Sequence, residues 1–313
     1  MSESKAASAA ATPVSVASPI KPDNLVRAAS FMVLATFAFT GMSACIQLAS
    51  RSLPNAEVVF VRNLIGLLFI VPWLLFRGGW VAFKTQRPLD HLLRSAAGLS
   101  SMYCYFYAIA HLPLADAVVL NYTVPLFFPV IESIWLREPM QRNLWWPLLL
   151  GFVGIVVVLR PGSDVFKPAA LVGVTAGILS ALAQTGVRRL TLTEPPERIV
   201  FFFAFISSLA SAVPLTAVWV TPTSAMLGLF LLLGACATVG QLSMTRAYSH
   251  APASQVGAFA YTIVLFGALF DWIRTGKIPS LLFIVGAILI CGSGVLMLRL
   301  ARPAVKRVTD ANR

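Results

Sequence analysis

AHLPLADAVVLNYTVPLFFPVIESIW at residues 110–135 returns as SHAPASQVGAFAYTIVLFGALFDWI at 249–273. His111 aligns with His250, a spacing of 139 residues. At that spacing Pro113 aligns with Pro252, Tyr122 with Tyr261, Thr123 with Thr262, Phe127 with Phe266, and Glu132 with Asp271. Both copies lie in hydrophobic sequence. A membrane chain built from two related halves is an architecture common among secondary transporters. The repeat says more about this chain than any single residue does.

The 313 residues are 58% hydrophobic and 12% charged, with a mean hydropathy of +0.81. A soluble domain carries about 25% charged residues, so the bilayer is the natural solvent for this surface. The net charge of +12 would suggest nucleic acid in a soluble protein. Here the Lys and Arg lie in tails and in loops between apolar runs, a pattern of membrane topology. Nucleic acid is therefore not an expected partner; the lipid bilayer and a small-molecule substrate are. Cys45, Cys104, Cys236 and Cys291 each lie inside an apolar run without metal-ligand spacing. They read as small hydrophobes. His91, His111 and His250 are scattered, so no metal site and no cofactor are expected.

A helix needs about 20 apolar residues to cross a bilayer. That window predicts ten spans, at 28–50, 56–76, 92–111, 114–136, 144–160, 169–189, 199–219, 225–247, 253–273 and 280–300. Turn chemistry such as Leu53-Pro54-Asn55, Glu138-Pro139, Glu194-Pro195-Pro196 and Ala251-Pro252 separates them. With the N-terminus cytoplasmic, 18 Lys and Arg fall on the cytoplasmic side and 5 on the other. Arg77, Lys84, Arg87 and Arg94 are counted in one cytoplasmic loop. The bias predicts both termini in the cytoplasm. The expected organisation is a disordered tail over 1–27, one repeat over 28–161, a second over 168–301, and a basic tail over 302–313. Five spans per half is an odd number, so the copies run in opposite directions through the membrane. The fold class expected is an all-α integral membrane protein of two inverted five-helix repeats, with a site near the midplane between them.

Charges inside a bilayer are functional candidates because they are costly there. Arg62 lies five residues after Glu57. It reads either as an anchor or ion pair with Glu57, or as a contact for an anionic substrate group or gate. Glu132 and Asp271 are equivalent across the repeat; they read as helix-end acids or as a gate pair. Asn121, Tyr122 and Tyr261 lie nearer mid-span, and a buried amide or phenol needs a partner. That partner is either the substrate or a neighbouring helix. Gln184 and Gln241 are further intramembrane polar residues, and Tyr103 and Tyr107 share one helix face. All are cavity candidates. Catalytic readings fare badly: Gly98-Leu99-Ser100-Ser101-Met102 lacks the second glycine of a nucleophile elbow, and no phosphate-binding loop is present. No catalytic residue is expected.

Three features resemble the drug/metabolite transporter superfamily of the EamA type. One is Glu57 with Arg62 in EVVFVRNLIG (57–66). Another is the closing part of each half, PLFFPVIESIWLREPMQRNLWWPLLLGFVGIVVVLRPG (125–162) and TIVLFGALFDWIRTGKIPSLLFIVGAILICGSGVLML (262–298). The third is the ten-span duplication. The resemblance covers about residues 28–301. Glu138-Pro139 fits the family's acidic turn, whereas Lys277 stands in place of the acid in the second copy. The resemblance implies a secondary carrier in the bacterial inner membrane. Its cargo would be an exported amino-acid-like compound or opine-type metallophore, or riboflavin or S-adenosylmethionine taken up or exchanged. VVLNYTVPLF (118–127) is similar to those branches more than to sugar-nucleotide carriers. A homodimer stays open. The competing classes are a membrane-embedded enzyme and a non-transporting scaffold.

Overall fold

Apolar runs this long satisfy their backbone hydrogen bonds internally only as helices, and every long element of the computed structural model is one. It describes residues 24–50, 52–112, 120–137, 141–162, 168–224, 226–276 and 281–301. The first five helices are α1 Leu25–Ala49, α2 Asn55–Gly78, α3 Pro88–His111, α4 Val124–Ile131 and α5 Trp145–Leu159. The others are α6 Pro168–Thr191, α7 Pro196–Ala212, α8 Met226–His250, α9 Ala253–Ala260, α10 Thr262–Thr275 and α11 Leu281–Leu300. Among the described residues, seven stretches are long and apolar enough to cross a membrane. The stretches formed by α3, α7 and the short α4 lie outside that set.

Helix ends follow local chemistry. Asn24 caps α1 by accepting from the Arg27 N–H at 3.0 Å. Pro88 and Pro196 open α3 and α7, where a missing N–H costs nothing. Gly276 ends α10 at φ 67°, a conformation glycine adopts without strain. The predicted tail over 1–27 is corrected at its end, because Leu25, Val26 and Arg27 already belong to α1.

The span predicted over 114–136 is not one straight helix over its described part. Leu120 and Asn121 are helical, Tyr122 and Thr123 form a turn, and α4 follows. Pro125 has no N–H to offer the Asn121 carbonyl four residues back, nor Pro129 for Pro125. After α4 the chain widens into a π turn over Glu132–Leu136. The span predicted over 253–273 also breaks, at Tyr261 between α9 and α10. Thr123 donates to the Leu120 carbonyl at 2.6 Å, and Thr262 to the Phe259 carbonyl at 2.7 Å. The two breaks fall at repeat-equivalent positions and carry the same hydrogen bond.

Packing runs between the halves. α1 lies along α8, α3 along α6, α2 against α7, and α5 against α11. The α5–α11 contact is close because two glycines meet. A Cβ on Gly154 would fall 2.9 Å from the Gly286 carbonyl oxygen, and one on Gly286 only 2.7 Å from that of Gly154. The largest core cluster joins Met32, Phe128 and Leu148 to Leu190, Tyr248, Val256 and Met297.

Candidate functional site

α2 and α3 each bury an arginine. Arg62 is the eighth residue of α2 and Arg94 the seventh of α3. At 1.5 Å per residue each lies about 10 Å along its helix. They are 7% and 4% exposed. Arg62 Nε approaches Met42 Sδ at 3.2 Å, and its Nη1 donates to Asn63 Oδ1 at 3.2 Å. Arg94 Nη2 donates to Gln241 Oε1 at 3.3 Å, and its guanidinium sits 3.5 Å from the centroid of the Phe203 ring, a cation–π contact. Nε and Nη1 of Arg94 are buried with no hydrogen-bond partner.

A cavity opens beside Arg62. Arg62, Asn63 and Gly66 of α2 form one wall, Phe203 of α7 another, and Thr238 and Gln241 of α8 a third. Val200, Ala204 and Ala237 complete the lining with small apolar surface. The first half contributes a cation and an amide, and the second an aromatic ring, a hydroxyl and another amide.

No described carboxylate serves either arginine. The side chains of five acids are described, and each has other partners. Glu57 is fully buried and accepts from the Val220 N–H at 3.1 Å, so the predicted Glu57–Arg62 pair does not form. Asp90 meets Arg87 at 3.2 Å and Arg189 at 3.4 Å. Glu194 bonds His91 Nε2 at 2.7 Å and accepts from Thr85. Glu197 meets Arg246 at 2.8 Å. Glu132 is 1% exposed and accepts from the N–H groups of Ala253 and Ser254 at 2.5 and 3.0 Å. These are the first two residues of α9, so a carboxylate of the first half caps a helix of the second. It meets the orphan donors and the positive end of that helix dipole. The π turn brings Glu132 there. Its predicted gate partner, Asp271, has its side chain outside the described residues.

Other sequence candidates are placed away from the cavity. Tyr261 is fully buried among Ile155 and Ile290, between α5 and α11, with its hydroxyl unbonded. Tyr122, its repeat equivalent, packs against the same cluster. Asn121 sits half-buried at the first break, where its carbonyl oxygen and the Thr123 hydroxyl face Gly177 of α6. Gln184 accepts from the Tyr248 hydroxyl and donates to Ser180 Oγ at 2.9 Å. Tyr103 and Tyr107 are 39% and 47% exposed, and Tyr107 stacks on His111 with ring centroids 4.0 Å apart. Of the seven cavity candidates, only Gln241 lines this cavity. Arg94 is the residue that sequence reading misplaced: it is not in a loop but buried on α3, against Phe203 and Gln241. Pro88 at the start of α3 was the available signal, since a helix begun there carries Arg94 inward by nearly two turns. No sequence signal marked Asn63, Phe203 or Thr238. Among the described residues, no group of three or more His, Cys, Asp and Glu could hold a metal ion.

Comparison with known proteins gives this architecture a family. The model of the EamA-like transporter family matches residues 26–160 and again 167–299. The chain belongs to that family. Its EamA relatives include a pseudopaline exporter of Pseudomonas aeruginosa (PAO1), 36% identical over 82% of this chain and 91% of that protein. A riboflavin transporter of Rhizobium johnstonii is 30% identical over 90% of this chain and 93% of its own length. An S-adenosylmethionine uptake transporter of Rickettsia bellii is 24% identical over 82% and 87%. A solved crystal structure with 18% identity superposes with a TM-score of 0.76, covering 88% of this chain and 97% of its own. That last likeness concerns the fold alone. The EamA match and the apolar helices together make this a multi-pass membrane transporter of small metabolites.

Proposed function

We propose that this protein is a secondary carrier that moves a small polar or zwitterionic metabolite outward across the bacterial inner membrane. Two inverted five-helix halves, over 28–161 and 168–301, rock about the cavity between α2, α7 and α8. The single observation that carries the reading is that cavity: it is lined by residues of both halves and has the buried Arg62 in its wall. Helix packing supports the inverted relation. If each helix of the first half corresponds to one of the second, the α1–α8 contact maps onto α6–α3, while α2–α7 and α5–α11 map onto themselves. A two-fold axis produces that pattern. The matched breaks at Tyr122-Thr123 and Tyr261-Thr262 fit interrupted helices of inverted-repeat carriers. Counting α3, α4 and α7 as crossings gives ten, and the positive-inside bias then favours both termini in the cytoplasm.

The exporter among the relatives supports outward movement, with an amino-acid-like compound or opine-type metallophore as cargo. The riboflavin transporter, similar over nearly the whole chain, supports a second reading: uptake or exchange of riboflavin or S-adenosylmethionine. Comparing metabolites released by cells with and without the gene separates the two. Accumulation of one compound class outside the gene-bearing cells is the expected result. No difference in release or uptake of any class would overturn the carrier reading. So would tags that place the two chain ends on opposite faces of the membrane.

A further inference from the structure

We infer that the first turns of α3 and α7, with the turn that precedes α7, form a gate that this structure holds shut. The gate closes the cavity from the end of the bundle where α1 begins and α11 ends. This rests on the reading of the protein as a carrier with its cavity between the halves, and it specifies which parts move.

The cavity has room for little more than a water molecule, so a metabolite enters only after neighbouring helices part. Contacts along α3 indicate where. Phe203 of α7 lines the cavity, and the Arg94 guanidinium lies 3.5 Å from its ring centroid. Arg94 also donates to Gln241, another wall residue, at 3.3 Å. One turn nearer the start of α3, the His91 and Phe202 rings lie with centroids 4.4 Å apart. His91 Nε2 bonds Glu194 Oε2 at 2.7 Å, and Thr85 donates to the other Glu194 oxygen. Asp90 reaches Arg189 at 3.4 Å, and Arg198 Nε donates to the Ala82 carbonyl at 2.7 Å. Each contact joins a residue of the first half to one of the second. All lie at one end of the bundle. The Asn24 N–H donates to the His250 carbonyl at 2.8 Å, which sets the start of α1 beside the end of α8. Leu25, Leu300 and Ala301 pack on one core cluster. Near that end of α8 the Tyr248 carbonyl accepts from Arg188 of α6 at 2.9 Å, and Arg189 carries the contact on to the start of α3.

Two terms oppose each other across this interface. Arg94 is 4% exposed, and among the described residues it bonds only a neutral amide and leaves Nε and Nη1 unbonded. Such a cation is costly where it is buried and is relieved when water reaches it, so it favours opening. Glu194 favours closure. It is buried, and both its oxygens are taken by residues of the first half, so parting breaks a charge-assisted bond. Asp90–Arg189, partly in water, adds little to either side. With both terms present neither form is fixed, as a carrier that opens its cavity to two sides in turn requires.

The test uses the full-length protein in membrane vesicles, with its four cysteines replaced by alanine and Ala204→Cys in the cavity wall. A membrane-impermeant methanethiosulfonate is applied to the face on which α1 begins, and the rate of labelling is read. Glu194→Gln and His91→Gln should each speed labelling at least about tenfold, as the loss of a charge-assisted bond allows. Arg94→Met keeps the length of the side chain and removes its charge; it should slow labelling at least about fivefold. The opposite signs separate a gate from a merely structural cluster, in which all three variants loosen the fold and speed labelling. That outcome would overturn the proposal. So would an unchanged rate in both glutamine variants, or labelling of Arg94→Met as fast as the parent's. A second protein guards against a glutamine variant that misfolds. It carries His91→Cys and Glu194→Cys in place of Ala204→Cys, bridged by a short bis-methanethiosulfonate that reductant cleaves. Metabolite release should stop on bridging and return on reduction. Release that continues through the bridged protein defeats the gate and leaves the carrier standing. No release from the unmodified protein defeats the carrier, while labelling, which needs no cargo, still reads the gate.

Discussion

Glu132 and the pair Arg62–Arg94 are all buried charges, yet they sit in opposite circumstances. The carboxylate is held by two backbone N–H groups at the start of α9. Among the described residues the guanidinium groups bond only neutral neighbours, and Arg94 keeps two donors unbonded. A charge with strong partners inside the fold holds the fold together. A buried charge without them raises the energy of the folded protein. The contrast supports Glu132 as part of the scaffold and Arg62, in the cavity wall, as the site candidate, although sequence reading treated the two alike.

The sharpest way to break the contrast is Glu132→Ala. It removes two charge-assisted bonds and leaves two buried donors, so we expect a loss of about 3 kcal/mol, read as a lower thermal midpoint. An unchanged midpoint would return Glu132 to the gate candidates. Next, Arg62→Gln should lower transport at least tenfold while stability stays the same or rises by about 1 kcal/mol, because an uncompensated buried cation is removed. Measuring the midpoint and the flux of one preparation checks this; a large fall in midpoint would make Arg62 structural. Smaller again, Tyr261→Phe removes a buried, unbonded hydroxyl. We predict flux unchanged and stability altered by no more than about 1 kcal/mol. Lost flux in that variant would show that a missing partner matters without charge. Smallest, Tyr107→Phe on an exposed position should change neither flux nor midpoint measurably; a defect would bring α3's outer face into the transport path.

Hydropathy located most of the long helices to within a few residues, because bilayer-length apolar runs between turn residues are a local property; it missed that α7 ends at Ala212 rather than 219 and that the runs over 114–136 and 253–273 are broken. The Tyr-Thr equivalence at 122–123 and 261–262 was visible too, and both breaks lie there. Arg94 was lost to the same method. A window that assigns charges near a helix start to the adjoining loop cannot see that α7 and α8 bring Phe203 and Gln241 around it. Tyr261 failed for a related reason. Its depth in the span was legible, but not its direction, which packing between α5 and α11 decides.

The amino-acid sequence alone determined where the chain is apolar, where it turns, and that its halves are copies, since those follow from composition, short-range periodicity and alignment. Only the assembled helices decided which buried charges are satisfied. Glu132 and Ala253 are 121 residues apart and Arg94 and Gln241 are 147 apart. Desolvation acts on what surrounds a charge in space, and partners that far along the chain leave no local signature.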